Sequence, residues 1–290
     1  MSSDQSPRVV TADLLREWPL PDGGESKNSR GTVLVIGGAA RSPGAVILAG
    51  TAALRVGAGR LTLAVAESVA TQVAVSLPEC GVVPLAEVRH GAVSGEGVSA
   101  VADDIGGADA VLVGPGLDDI DEAVELLAQL PIETPDGPAT VLDAFALGAL
   151  STRPDLREAL PAALLLTPNT DEASRLLGRD LGDLATDVRE LASRFRAVVS
   201  CHGHIADAEG RSWLIGTGAS GLGTSGSGDV LAGAITGFCA RGVEPVRAAV
   251  WGSHVHAVAG DRLAVRVGAL GYLAGELLAE LPRVIVEVGA

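Results

Sequence analysis

The chain has 290 residues, 47% of them hydrophobic and 20% charged, and a net charge of −15 from 21 basic and 36 acidic residues. That balance excludes a disordered chain and disfavours nucleic acid or anionic membrane as partners. Aromatics are only 2%, so the core must be built from Val, Leu, Ile and Ala, a composition that suits a buried parallel sheet under Ala-rich helices. Cys80, Cys201 and Cys239 are odd in number and far apart. They suggest neither a disulfide framework nor a metal site, and a reducing cytoplasm is the expected compartment. No apolar run reaches the roughly 18 residues that span a bilayer. The polar first thirty residues lack an apolar h-region, so no signal peptide is expected.

Residues 1–26, rich in breakers, are expected to form an extended lead-in, and 27–290 one domain. "TVLVIGG" (32–38) reads as a buried strand ending in glycines. A helix over 42–59 follows, with Ser-Pro at its start and Gly at its end, then a strand at 60–65 and a helix at 67–77. "ADAVLVGPG" (108–116) is a strand running into a Gly-Pro-Gly turn, and 120–130 is an amphipathic helix. Strands are expected to begin at 139 and at 162. The second leads into a helix over 170–178, for which Asn169, Thr170 or Asp171 is the cap and Glu172 the capping-box acid. Another helix covers 183–196. Residues 197–218 read as two or three short strands with a turn at Glu209-Gly210, and helices follow near 228–241, 244–264 and 270–281. Apolar strands alternating with helical periods predict a three-layer α/β fold with a mostly parallel sheet. In such folds ligands sit beyond the carboxyl ends of the strands. The segments 37–45, 114–116, 167–172 and 200–229 are placed to converge there.

"SGSGDVLAG" (225–233) is the most informative stretch. A Gly-rich turn and the first N–H groups of the following helix make an anion site without any basic side chain. Asp229 would stand beside that anion. It would serve either as the base that takes a proton from a hydroxyl attacking phosphorus or simply as a helix cap, the glycines then permitting tight packing. Gly221, Gly223 and Gly226 spell G-x-G-x-x-G, but in the last third of the chain and before a helix, so the dinucleotide-fold reading is rejected. No Walker motif is present. Around Gly37-Gly38 and 114–116 an ordinary strand-to-helix connection is the favoured local reading. His202 and His204 would share a strand face, where surface or ligand-edge histidines are more common than a metal pair. His254 and His256 lie on different faces of a helix.

In order along 27–281, "RGTVLVIGG", "PGAVILAGTAALRVGAGRLTLAV", "LPEC", "VLVGPGLDD", "TVLDAFAL", "LLTPNTDEASRLLG" and "SGSGDVLAGAITGFCARG" resemble the ADP- or ATP-dependent NAD(P)H-hydrate dehydratases of the ribokinase-like superfamily. "GSGD" followed by "VLAG" is characteristic of the superfamily, and the "GPG" and "LTP" segments point to the dehydratase branch. The resemblance implies a ribokinase-like fold and a repair reaction. Hydrated NADH or NADPH is phosphorylated on its ring hydroxyl by ADP or ATP, and the loss of phosphate restores the double bond. It implies Asp229 as the base. The main chain of Gly226, Ser227 and Gly228 would hold the phosphoryl group with Mg2+ sharing its charge. Ala45, Gly116, Asn169 and Asp229 would touch the hydrated dinucleotide, and Ser200, Cys201, His202, Gly203, His204 and Gly228 the adenine nucleotide. No protein metal ligand is implied. Members are often homo-oligomers, which is expected here too. Three positions depart from the family pattern: Phe145 stands for a second acid, Asn169 for a His, and Ser200 for a Lys. A ribokinase-like kinase for a vitamin precursor or sugar, or a nucleotide-binding protein that has lost catalysis, are the alternatives.

Overall fold

Each apolar run of four to six residues that ends in Gly, Pro or a polar cap becomes a strand, and each amphipathic stretch after it crosses back over one face of the sheet. In the computed structural model, which describes residues 6–24, 26–130, 137–218 and 220–289, the chain order is as follows. β1 (Arg8–Val10), α1 (Ala12–Arg16), β2 (Thr32–Ile36), α2 (Pro43–Arg55), β3 (Arg60–Ala66), α3 (Glu67–Ser76) and β4 (Gly81–Leu85) make the first part. α4 (Ala102–Gly106), β5 (Ala110–Val113), α5 (Ile120–Ala128), β6 (Ala139–Leu142), α6 (Phe145–Thr152), β7 (Leu164–Leu166), α7 (Thr170–Leu177) and α8 (Leu184–Phe195) follow. β8 (Val198–Cys201), β9 (His204–Ala206), β10 (Ser212–Ile215), α9 (Ser227–Ala240), α10 (Pro245–Arg266) and α11 (Ala274–Val288) complete the described chain.

The strands form one 10-stranded sheet in the order β1-β10-β9-β8-β7-β6-β5-β2-β3-β4. Every pairing is parallel except those of β9, which runs against both β8 and β10. Alternation assigns the faces. Val33, Val35, Leu61 and Leu63 join the core under α2, α9, α10 and α11, whereas Leu34, Ile36, Ala64 and Ala66 join the core under α5 to α8. Because both faces are covered, the strands are apolar throughout, as a parallel sheet requires. The predicted three-layer α/β fold is the fold of the chain.

Three elements differ from expectation. Residues 8–16, expected to be extended and patternless, form β1 and α1: β1 pairs in parallel with β10, and Leu14 and Leu15 are buried. Three residues are too few for a period, and here tertiary contacts decide. The Trp251 indole N–H donates to the Trp18 carbonyl at 3.0 Å, and the Trp18 and Trp213 rings meet edge to face. Residues 1–5 and 25 of that lead-in lie outside the described residues. β4 was not anticipated, because Pro84 and a largely half-exposed edge weaken its pattern. α11 runs through Pro282 to Val288 instead of stopping at 281. Leu281 and Val284 hold the far side of the proline in the core, and packing overrides the missing N–H.

Candidate active site

The carboxyl ends of β2, β5, β6, β7 and β8 meet the N-termini of α2, α6, α7 and α9, and the predicted residues gather there. α9 begins without a side-chain cap, on Gly226 in the left-handed region (φ 88°, ψ −6°). The Ser227 amide turns back to the Thr224 carbonyl at 3.2 Å, so this N–H, expected in the anion cradle, is already engaged. Gly228 and Asp229 lie in the first turn, where no residue four back within the helix can accept their N–H groups. Gly228 is exposed and Asp229 half-buried. Asp229 makes no cap bond, which removes the capping role. Burial pushes its carboxyl up to about 6, within the range of a general base at neutral pH.

Tight packing, the other role allowed to the glycines, is real but lies further along the helix. A Cβ at Gly233 would stand 2.0 Å from the Ala49 carbonyl oxygen, and one at Gly237 2.7 Å from that of Ala53. Both contacts press α9 onto α2. At the head of α9, a Cβ on Gly226 would meet Leu48 of α2 at 2.5 Å and Ala274 of α11 at 3.2 Å. The Ser227 hydroxyl is buried and lies 2.9 Å from His256 Nε2 of α10. Burial holds that imidazole down to about 4, so it is neutral at pH 7.

A second acid joins Asp229. Asp143, at the end of β6, is 6% exposed, and its carboxyl is pushed up to about 7, first by burial and then by the charges of Asp229 and Glu172. Thr167 Oγ1, at the end of β7, lies 2.9 Å from Asp143 Oδ1 and 3.2 Å from the Leu142 carbonyl oxygen. The corner after Asp143 is strained: Ala144 has φ 49° and ψ −121°. A Cβ at Gly114 would fall 1.8 Å from the Asp143 carbonyl oxygen, so the Gly-Pro-Gly turn lets that corner close. Asp143 lies in the resembling stretch "TVLDAFAL" but is given no role there. Its burial and its acidic neighbours arise only from tertiary folding. His256 was likewise read only as a helical residue off the face of His254.

Gly38 N–H donates to the Pro115 carbonyl and Ala39 N–H to the Gly116 carbonyl, each at 2.8 Å. These bonds bind the two glycine loops into one wall. A Cβ on Gly116 would lie 3.1 Å from that of Ala45 in the first turn of α2, so two residues predicted to share a ligand are neighbours. Asn169 caps α7 as expected. Its Oδ1 accepts from Glu172 N–H and its own N–H donates to Glu172 Oε2, both at 2.9 Å.

The 200–204 segment is a hairpin. Ser200 Oγ lies 2.9 Å from Ser253 Oγ of α10 and is buried. Cys201 is buried too, its thiol pushed up to about 12 by burial and by Glu172. His202 (φ 45°) and Gly203 (φ 79°) form the turn, and His204 opens β9. The expectation that His202 and His204 share a strand face is thereby corrected: two positive φ angles make a two-residue turn, so only His204 is on a strand. It faces Asp183 and Arg189 of the α8 region. Among the described residues, no group of three His, Cys, Asp or Glu side chains could hold a metal ion.

A family model described as NAD(P)H-hydrate dehydratase matches residues 33–283. The chain belongs to that family. It is 42% identical over 285 residues to the ADP-dependent (S)-NAD(P)H-hydrate dehydratase of Xanthomonas campestris, covering 96% of each chain. Its likeness to the bifunctional NAD(P)H-hydrate repair enzyme of Moorella thermoacetica is 35%, covering 96% of this chain and 54% of that one. The chain therefore spans about half the length of that longer relative. Among solved structures it superposes on the ADP/ATP-dependent NAD(P)H-hydrate dehydratase of Bacillus subtilis co-crystallized with ATP/Mg2+, with a TM-score of 0.80, 27% identity, and 98% and 99% of the two chains covered. The Gly-rich turn and Asp229 lie within the matched span. Phe145, at the first position of α6, is 38% exposed, and Asp143 supplies a carboxylate two residues before it.

Proposed function

We infer that the protein restores NADH and NADPH from their S-form hydrates, using ADP or ATP as phosphoryl donor. The observation that carries this reading is Asp229: a half-buried carboxylate with a raised proton affinity on the first turn of an uncapped helix, behind a Gly-rich turn. Such a group takes the proton of a ring hydroxyl while that oxygen attacks the terminal phosphorus of the donor. The phosphorus–oxygen bond to the nucleotide breaks, and AMP leaves from ADP or ADP from ATP. The N–H groups of Gly228 and Asp229, with the helix dipole behind them, stabilise the charge on the transferred group. The carbon–oxygen bond to phosphate then breaks. The neighbouring ring carbon gives up a proton, and the double bond returns with release of phosphate.

Ala45, Gly116 and Asn169 border the dinucleotide side of the cleft in this reading, and the hairpin from Ser200 to His204 the adenosine side. Ser200 and Cys201 contribute through their main chain, their side chains being buried. Mg2+ neutralises phosphate charge when bound. No helix among the described residues is long and apolar enough to cross a membrane.

The test is direct. Hydrated NADH is mixed with the protein, Mg2+ and either ADP or ATP, and the reduced-nicotinamide absorbance is followed. Recovery of that absorbance with release of phosphate is expected. A stable phosphorylated product would make the protein a small-molecule kinase, and binding of nucleotide without turnover a non-catalytic relative.

A further inference from the structure

The Thr167 hydroxyl has one proton and two acceptors in reach, Asp143 Oδ1 at 2.9 Å and the Leu142 carbonyl at 3.2 Å. If Asp143 is ionised, the two compete for that proton. A buried carboxylate would also face Asp229 from α9 and Glu172 from α7, both acidic, with no basic side chain among the described residues to offset them. If Asp143 carries a proton, the arrangement closes: its O–H donates to Thr167 Oγ1, and Thr167 donates to the Leu142 carbonyl. The Thr167 hydroxyl then accepts one bond and donates one. Resting on the dehydratase reading above, we propose that Asp143 stands as a neutral acid at the head of this chain of hydrogen bonds. As a positioning residue, it keeps Asp229 the ionised member of the pair.

Burial and the two facing acids support the protonated form, and the Ala144 N–H opposes it less strongly. A neutral Asp143 adds no second negative charge beside the incoming phosphates. It also leaves Asp229 free to lose its own proton. The two groups titrate as a coupled pair, so turnover rises with the first ionisation of the pair and falls with the second, both displaced upward by burial.

The experiment measures kcat against pH for the wild type, Asp143→Ala, Asp143→Asn and Thr167→Val, with hydrated NADH, ADP and Mg2+. In parallel, infrared titration of the carboxylic-acid C=O band is run on ligand-free protein, with and without Asp143→Asn in an Asp229→Asn background. Asp143→Ala is expected to lose about 100-fold in kcat. Asp143→Asn, whose amide N–H replaces the acid O–H, is expected to recover about tenfold or more of that loss and to lack the alkaline limb. Thr167→Val removes the acceptor of the acid proton and is expected to move that limb to lower pH. The infrared band lost with Asp143→Asn is expected to persist at pH 6. The proposal is overturned if Asp143→Asn is as inactive as Asp143→Ala, if Thr167→Val moves the limb upward, or if no such band exists. An inactive wild type with the band present would instead sink the dehydratase reading alone.

Discussion

The Ser227 hydroxyl and His256 Nε2 meet at 2.9 Å inside the fold, two residues before the candidate base on the first turn of α9. Burial lowers the imidazole from 6.5 to about 4, so the unfolded chain takes up a proton that the folded one refuses. The stability tied to this histidine is therefore complete above pH 6.5 and lost as the pH falls toward 4, at most about 3 kcal/mol. His256→Gln should flatten the acid side of the stability curve relative to wild type. Urea unfolding of both proteins at pH 7 and pH 4.5 checks this, and because both keep Asp143 and Asp229, the difference isolates the imidazole. His256→Leu should cost about 1–3 kcal/mol at pH 7 by leaving the Ser227 hydroxyl unpartnered.

Asp229→Asn should abolish turnover by a factor of about 100 or more while nucleotide still binds. The same change should stabilise the fold. The Asp229 carboxyl sits at about 6, above its ordinary 3.8, so its favourable contribution is full below pH 3.8 and disappears as the pH passes 6. Above that, the folded protein carries a half-buried charge that Asn removes. A gain of about 1–3 kcal/mol at pH 8 is expected, shrinking toward pH 4. Single-turnover kinetics, nucleotide titration and thermal melts read the three effects, and a variant that turns over normally would remove Asp229 as the base.

Ala144→Gly should raise stability and lower activity together. Ala144 adopts φ 49°, ψ −121° at the head of α6, a conformation that costs an alanine about 1–3 kcal/mol and a glycine much less. Relief of that strain also frees the corner that aims Asp143. Melting temperature and kcat measured on the same preparation decide it, and a rise in both would show that the strain does nothing for the site.

Gly233→Ala should lower stability by several kcal/mol at most, because its Cβ would enter the Ala49 carbonyl at 2.0 Å and force α9 off α2. Overpacking of this kind costs about 1–3 kcal/mol where the backbone can shift. Since α9 carries Asp229, kcat should fall as well. Chemical unfolding and kinetics at saturating substrate measure the two losses.

The order of layers was readable because β2, β3, β5 and β6 are apolar runs on both faces, each followed by a helical period. Asn169 and Glu172 are the clearest case, a capping box seen as "NTDE" and found as two 2.9 Å bonds. Short or edge elements were not readable. β1 has three residues and β4 contains Pro84, and each is held by partners distant in sequence. In the site, Asp229 announced itself through the glycines around it. Asp143, Thr167 and His256 did not, since their roles depend on what burial and neighbouring charge do to one proton. His202 was misplaced because a tight turn with positive φ at a non-glycine residue has no signature in "CHGH".

α2 opens beside Gly116 with Ala45, α9 opens with Gly228, and the two helices touch main chain to main chain at Gly233. In the proposed reading the gap between acceptor and donor is thus gauged by two packed helices rather than by loops. A nucleotide longer by one phosphate cannot widen it. In the proposed reading its extra length runs outward toward the 200–204 hairpin, with the reacting phosphorus kept where a shorter donor would leave it. Tolerance for donors of different length would then be a property of the hairpin end alone.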